Sequence, residues 1–411
     1  MPFHKLKLNQ VFGISPNIPE HTYVDRNNLD QQFNYLVGSG SHLVIHGASK
    51  QGKTVLRRKN LPDKKCIKVQ CTNRTDIGHI YSEIIRQAKV NIPTEVTNQI
   101  SGSAGAKAMG LGFQINGGLN GGRSEKCKFP DFSLDNINYI AEVIQKTDKK
   151  VVIEDFHYLS TDVRKKLSFD LKVFWDCSVS FIIMGVWSED NILSYYNGDL
   201  SGRIEEIDVR WKNEELEKVL EMGERKLQIS FSDQIKKSIL DDSNGNVGLL
   251  QLIAGKVCFA SGITDNNSRS KRTISNINSL ANCRSQICKD LVPRYRLFSE
   301  KFSRGFKNEA TQPIYESLLH ICMEASDEEL RLGIHKDIIG ERLKHLDIEV
   351  NSPLSDYLKR IDNLQSISGV SPIVLSYNTD SQKVQLVDYD LLFFRKYIGE
   401  NNLPWPWLRQ D

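Results

Sequence analysis

The chain has 411 residues with 39% hydrophobic and 26% charged side chains, an ordinary globular composition that at this length predicts two or three domains. The formal net charge is only +3 at pH 7, so any case for nucleic-acid binding depends on where the basic residues lie. No apolar run approaches the roughly 20 residues that cross a bilayer, and no signal-peptide pattern follows the basic N-terminus, so we expect a cytoplasmic protein without a membrane partner.

The first predicted helix begins after Tyr23-Val24-Asp25-Arg26. Apolar side chains at Leu29, Phe33 and Leu36 recur at helical spacing behind this segment. Taken alone, the segment is consistent with an ordinary connection and helix cap.

A strand, a loop and the start of a helix follow in residues 43–54. An apolar run leads into a loop between Gly47 and Gly52, and Lys53-Thr54 opens the helix, which gives the G-x-x-x-x-G-K-[ST] pattern of a P-loop. The glycines let the backbone curl so that its N–H groups face a phosphate. Lys53 would reach the β and γ phosphates of a nucleotide, and the Thr54 hydroxyl would bind Mg²⁺. The predicted nucleotide-binding residues are Gly47, Ala48, Ser49, Lys50, Gln51, Gly52, Lys53 and Thr54. The alternative is a Gly-rich turn that matches this pattern by chance.

Alternating strand and helix patterns continue after the P-loop. Residues 66–71 alternate like a strand, and residues 75–88 place apolar side chains on one helical face. This rhythm predicts an α/β fold with a parallel sheet covered by helices on both sides. A Gly-, Ala- and Ser-rich stretch at about 100–123 is interpreted as a β-hairpin insertion used for subunit or partner contact, and a flexible loop is the alternative.

Two adjacent carboxylates end the next apolar strand pattern. Val151, Val152 and Ile153 precede Glu154-Asp155, and the carboxyl end of a strand is the edge of a parallel sheet where ligands bind. We expect the longer Glu154 side chain to reach the metal and the shorter Asp155 to reach the attacking water. Together with Lys53, both are candidate catalytic residues, and both are candidate metal ligands. A surface acidic pair is the alternative.

The Tyr23-Val24-Asp25-Arg26 segment, its helix and the P-loop together resemble the nucleotide-binding core of AAA+ and STAND ATPases. The resemblance implies a P-loop NTPase fold, ATPase activity, and ATP and Mg²⁺ as ligands. It also implies that residues 16–26, including Val24, lie over the adenine base. These families usually carry Asp and then Glu at the acidic position, so the reversed order Glu154-Asp155 supports nucleotide binding better than fast hydrolysis.

Three further positions follow from the resemblance. Residues 180–188 correspond to the strand that carries sensor 1, with Ser188 as the polar residue near the γ-phosphate, and strand-end capping is the alternative. Arg203 precedes the last core strand, where AAA+ proteins place an arginine finger that completes a neighbouring subunit's site, although any exposed arginine there would look the same. Gly248 stands where AAA+ members usually place the sensor 2 arginine, which is more typical of STAND and archaeal-type ATPases.

The resemblance also divides the chain. It implies an ATPase core over residues 1–212, a helical lid over 213–263, a basic connector over 264–310 and a C-terminal winged helix over 311–411. Residues 264–307 carry ten basic and three acidic residues. Such a segment would suit a DNA backbone, the solvated face of connecting helices, or a regulatory contact with nucleotide.

The winged-helix prediction depends on the order of elements in the last hundred residues. Helical patterns at 314–324, 336–346 and 353–364 precede strand patterns at 373–377 and 383–387, which form the expected wing, and an apolar helix at 388–398.

Three functions are consistent with these features. The first is an ATP-dependent switch that controls assembly of a homo-oligomer or of a complex with an effector, as in prokaryotic signalling or defence ATPases. The second is a DNA-binding initiator or loader, which the connector and the winged helix favour. The third is a nucleotide-binding structural subunit with negligible turnover, which the reversed acidic pair favours.

Overall fold

The computed structural model describes residues 5–14, 17–89, 136–187, 192–266, 271–306, 312–379, 381–399 and 402–405. The insertion predicted at 100–123 and the sensor 1 candidate Ser188 lie outside the described residues. Among the described helices, none combines the length and apolar character that a membrane crossing requires.

A five-stranded sheet forms the centre of the N-terminal half. Its strands are β1 (His42–His46), β2 (Cys66–Gln70), β3 (Lys150–Glu154), β4 (Phe181–Met184) and β5 (Ile204–Asp208). Their spatial order is β2-β3-β4-β1-β5, and every neighbouring pair is parallel. The predicted α/β fold with a parallel sheet is therefore confirmed.

Helices cover both faces of this sheet, because successive strand side chains point to opposite sides. Helices α2 (Leu29–Gly38) and α3 (Lys53–Asn60) share one core with β1 residues such as Ile45. Helices α4 (Ile77–Ala88), α5 (Ile137–Gln145) and α6 (Thr161–Asp176) share a second core with residues such as Val44. The short helices α1 (Leu8–Val11) and α7 (Ile192–Tyr196) precede α2 and β5, respectively.

The helices after the sheet belong to a third and larger core. They are α8 (Asn213–Leu227), α9 (Asp233–Ser243), α10 (Val247–Ala260) and the long α11 (Ile277–Arg304), and the strands β6 (Ile229–Phe231) and β7 (Arg272–Ile274) pair beside them. This core continues through the C-terminal part as far as Trp405. The segments predicted as lid, connector and winged helix therefore pack together.

The C-terminal part contains helices and a hairpin close to the predicted positions. The helices are α12 (Gln312–Glu324), α13 (Asp327–Leu332), α14 (Lys336–His345), α15 (Leu354–Leu358), α16 (Ile361–Ile367) and α17 (Asp390–Tyr397). Strands β9 (Leu375–Asn378) and β10 (Lys383–Leu386) form the hairpin, and β8 (Ile334–His335) adds a third strand against β10. The helix predicted over 353–364 is divided into α15 and α16. The winged-helix assignment stays a prediction.

Candidate nucleotide site

A cavity of about 310 Å³ lies at the carboxyl edge of the five-stranded sheet. The P-loop leaves the carboxyl end of β1 and the acidic pair lies at the carboxyl end of β3, so the parallel topology brings the two to one edge. Lys53, Thr54 and Asp155 all line this cavity. The P-loop and one acid of the pair therefore face the same space.

The P-loop backbone has the curled conformation that its glycines allow. Gly47 and Gly52 have φ angles of +137° and +88°, which L side chains rarely adopt. A Cβ atom at Gly47 would also lie 2.9 Å from the Val209 side chain. Glycine is thus required at position 47 for both conformation and space.

Lys53 is folded back over its own loop. Its Nζ donates hydrogen bonds to the carbonyl oxygens of Gly47, at 2.9 Å, and Ala48, at 2.7 Å. Burial lowers the pKa of Lys53 to about 7, although the carboxylates of Asp155 and Asp208 oppose the shift. Thr54 is exposed, so its hydroxyl is open to a ligand.

The two acids at the carboxyl end of β3 have different surroundings. Glu154 accepts a 2.7 Å ion-pair hydrogen bond from Arg57, whose side chain is fully buried on α3. Asp155 instead lines the cavity and accepts a hydrogen bond from Gln70 at the end of β2. Burial, with the nearby Glu154 charge, raises the pKa of Asp155.

The expected geometry of the acidic pair therefore needs correction. Glu154 was expected to reach the metal, but its carboxylate is held by Arg57 behind the P-loop helix. Asp155, with a φ of +56°, is the acid that faces the nucleotide space.

The entry segment, which the resemblance predicts to lie over the base, lines the cavity. Thr22, Val24 and Arg26 line the cavity together with Trp211, which the sequence analysis did not single out. The Arg26 guanidinium carbon lies 4.0 Å from the centroid of the Trp211 ring. The sequence signal that could have identified Trp211 as a cavity-lining residue is an aromatic side chain shortly after the last core strand.

Residues of the segment predicted as the lid also line the cavity. Gly248, the second residue of α10, lines the cavity. A Cβ atom added at this position would lie 2.9 Å from the Cβ atom of Lys50. The Gln51 side chain donates a hydrogen bond to the Gly245 carbonyl at 3.0 Å. The P-loop and the segment predicted as the lid are thus in close contact at Gly248, the position where AAA+ members usually have the sensor 2 arginine.

Arg203 lies away from this cavity. It precedes β5 at the amino end of the strand, whereas the P-loop follows the carboxyl end of the adjacent β1. Its guanidinium carbon lies 4.7 Å from the centroid of the Trp175 ring, and the side chain donates to the Asp199 carbonyl. Arg203 therefore does not contact the site of its own chain. Of the sensor 1 strand, Val186 lines the cavity.

The C-terminal part also contacts the P-loop, which the sequence analysis did not predict. The Ser49 N–H donates to the Val387 carbonyl at 3.3 Å. Lys50 Nζ forms a 2.5 Å ion pair with Asp390, and Asn246 Nδ2 of the lid donates to the same carboxyl group at 2.9 Å. Because these partners are up to 340 residues apart, no local sequence signal could have identified the contact.

No protein-family model matches the sequence, and the comparison with curated proteins gives no match. Among solved structures, the chain is similar to a Walker-type ATPase of Pyrococcus abyssi, with a TM-score of 0.53, 13% identity, and coverage of 94% of this chain and 99% of that one. It also matches Cdc6p from Pyrobaculum aerophilum, with a TM-score of 0.44, 14% identity, and coverage of 97% and 100%. A third match is the Aeropyrum pernix Orc1 protein in complex with DNA, with a TM-score of 0.43, 13% identity, and coverage of 97% of each chain.

Of these three structures, the Pyrococcus abyssi ATPase alone has a TM-score above 0.5, and at 13% identity it establishes a shared fold. Its alignment spans nearly all of both chains, so the likeness includes the sheet and the parts that follow it. The chain therefore has the fold of the P-loop ATPases, as its resemblance to the AAA+ and STAND group predicts.

Proposed function

We propose that this chain binds and hydrolyses ATP with Mg²⁺, and that the nucleotide controls the contact between the P-loop and the C-terminal part. The observation that carries the proposal is that contact itself. A P-loop N–H, that of Ser49, is bonded to the Val387 carbonyl, and Lys50 is paired with Asp390. A triphosphate needs the same kind of donors, so it competes with the C-terminal segment for the loop.

The C-terminal side of this contact is held by a buried charge network. Asp388 and Asp390 are nearly inaccessible, with 0% and 2% exposure. Arg294 of α11 lies 2.5 Å from Asp388 and 3.7 Å from Asp390, and the Tyr295 hydroxyl donates to Asp388 at 2.7 Å. Burial and the neighbouring Asp390 charge raise the pKa of Asp388 to about 6. Lys50 is therefore connected to α11 through a continuous set of contacts.

The residues around the cavity suit a magnesium nucleotide. The Thr54 hydroxyl and the Asp155 carboxylate are oxygen donors of the type that Mg²⁺ prefers, and both line the cavity. When bound, Mg²⁺ would neutralise charge on the phosphate oxygens. Lys53 would add a cation beside them, and Asp155, with its raised pKa, would hold the metal's water shell or the attacking water.

Binding to DNA through the connector has less support. Two of its arginines are used inside the protein, since Arg284 pairs with the buried Asp242 at 2.6 Å and Arg294 pairs with Asp388. Arg272 donates to the Ser261 carbonyl at 2.9 Å. Three of the ten basic residues of the connector thus make contacts within the protein, which favours the switch over DNA binding.

The test measures nucleotide binding and molecular mass together. We expect a fluorescent ATP analogue to bind in the presence of Mg²⁺, and we expect Lys53→Ala to weaken this binding at least ~10-fold, which is roughly 1.4 kcal/mol. Mass in solution is then compared without nucleotide, with ADP and with ATP, each with and without duplex DNA. A purified, folded chain that shows neither ATP binding nor a change of mass with ATP would refute the proposal. A mass change that requires DNA would favour the initiator function instead.

A further inference from the structure

Two side chains converge on one carbonyl of the P-loop. Trp211 Nε1–H donates to the Gln51 carbonyl oxygen at 3.0 Å, and Arg26 Nη1 donates to the same oxygen at 3.3 Å. Arg26 also donates to the Val209 carbonyl at 2.7 Å, which ties it to the chain just after β5. The carbonyl is therefore held by two donors that belong to different segments.

The two donors support each other. Arg26 is 5% exposed, and its guanidinium packs on the Trp211 ring at 4.0 Å. Burial lowers the pKa of Arg26 to about 10, so the side chain stays charged at neutral pH. A charged donor makes a stronger hydrogen bond to a carbonyl than a neutral donor does.

Holding the Gln51 carbonyl also fixes the next N–H group. In a trans peptide the C=O and the following N–H point in opposite directions, because the unit is planar. The following residue is Gly52, at a φ of +88° directly before α3, and it has no side chain that restricts the peptide. The direction of the Gly52 N–H therefore depends on what holds the Gln51 oxygen.

We propose that Arg26 and Trp211 are positioning residues for phosphate binding, which act by turning the Gly52 N–H toward the phosphate side of the P-loop. This inference rests on the proposed nucleotide binding. An N–H that is already oriented requires no reorganisation when the anion arrives, and so its interaction is stronger. Without the two donors, the peptide is free to rotate and the P-loop loses one prepared donor.

The test separates phosphate contacts from base contacts. Trp211→Phe removes the N–H donor and keeps a smaller aromatic ring beside Arg26. By competition with a fluorescent nucleotide, we expect it to weaken binding of inorganic pyrophosphate roughly tenfold and of ADP at least as much. Adenosine binding should weaken less than pyrophosphate binding, since an aromatic ring remains at this position of the cavity lining. Arg26→Lys should give a smaller loss of the same kind. Tyr35→Phe removes a polar group from a side chain that is 74% exposed, and it serves as the matched control.

A second measurement reports the peptide itself. In the nucleotide-free protein, the carbonyl ¹³C shift of Gln51 and the amide ¹⁵N shift of Gly52 should change in Trp211→Phe and not in Tyr35→Phe. Equal weakening of adenosine and pyrophosphate, or unchanged shifts at both nuclei, would overturn the positioning role. The wild-type chain could bind no nucleotide while the Gln51 and Gly52 shifts still change in Trp211→Phe. The proposed function would then fail, but the conclusion that Trp211 orients this peptide would remain.

Discussion

Lys53 has an ammonium group whose charge depends on the phosphate it is proposed to bind. In the free protein, burial lowers its pKa to about 7. A bound phosphate raises this pKa, because an opposite charge favours the protonated form. Below pH 7 the lysine is charged in both states, whereas above pH 7 binding must take up a proton. We therefore predict that nucleotide affinity falls as pH rises from 7 toward the pKa of the bound state.

Calorimetry in two buffers of different ionisation enthalpy measures this proton uptake. At pH 8 we expect the wild-type protein to take up close to one proton per ADP bound, and at pH 6 close to none from this residue. Lys53→Arg keeps the charge without titrating in this range, so its binding should show no uptake at pH 8. Wild-type binding without proton uptake at pH 8 would contradict the lowered pKa.

We predict that the two acids at the carboxyl end of β3 have different roles, with Asp155 acting in catalysis and Glu154 in stability. Asp155→Asn should abolish most hydrolysis, because Asp155 lines the cavity and is proposed to hold the metal's water shell or the attacking water. Nucleotide binding should persist, since the P-loop is unchanged. Glu154→Gln should reduce the free energy of unfolding by about 1–3 kcal/mol, since it leaves the buried Arg57 with Asp63 as its remaining carboxylate partner. Urea unfolding and steady-state turnover of both variants measure the two effects. A Glu154→Gln protein of normal stability and lost turnover would reverse the assignment.

The pattern of the P-loop can be recognised in the sequence, whereas the orientation of the acidic pair cannot. A P-loop is local, because eight consecutive residues carry its conformation and its donors. The orientation of Glu154 is not local, since it depends on Arg57, which lies 97 residues away in the chain. For the same reason, the sequence does not reveal the hydrogen bond from Trp211 to Gln51, because the two residues are 160 positions apart.

At the scale of elements, α10 packs so closely against the P-loop that an added Cβ atom at Gly248 would clash with Lys50. We predict that Gly248→Ala weakens nucleotide binding, because its Cβ atom would lie 2.9 Å from Lys50 Cβ and would move the lid away from the loop. Gly38→Ala is the matched control, since a Cβ atom there would meet nothing within 4 Å. Titration of a fluorescent nucleotide into both variants checks this. Equal affinity in the two proteins would show that the lid does not bear on the site.

The hydrophobic patterns predict most elements, because buried side chains recur about every second residue in a strand and every three or four residues in a helix. The helix predicted over 353–364 shows the limit of such patterns. Its observed break falls between Leu358 and Ile361, where Arg360 packs on the Phe306 ring at 3.9 Å and Asp362 accepts hydrogen bonds from β9. These tertiary contacts override a continuous helical pattern, and a single sequence does not display them.

At the scale of the whole molecule, the C-terminal part is attached to the core at several points. Besides the contact at Lys50, the Tyr158 hydroxyl and the Ser371 hydroxyl are hydrogen-bonded at 2.6 Å, and Asn73 Nδ2 donates to the Ser366 carbonyl at 2.9 Å. Of these contacts, the Lys50–Asp390 ion pair and the Ser49–Val387 hydrogen bond involve the P-loop. A substitution at Asp390 therefore separates competition for the loop from general attachment of the C-terminal part.

We predict that Asp390→Asn increases nucleotide affinity, because it removes the carboxylate that pairs with Lys50 while preserving the size of the side chain. If the closed contact lowers the population of binding-competent protein tenfold, the apparent Kd should fall by up to ~10-fold, or roughly 1.4 kcal/mol. Tyr158→Phe breaks an attachment away from the P-loop and should leave the affinity near that of the wild type. Stopped-flow binding of a fluorescent nucleotide should place the gain in the association rate, since the competitor is lost before the nucleotide arrives. A slower association or a weaker affinity in Asp390→Asn would mean that the carboxylate organises the loop instead of competing for it.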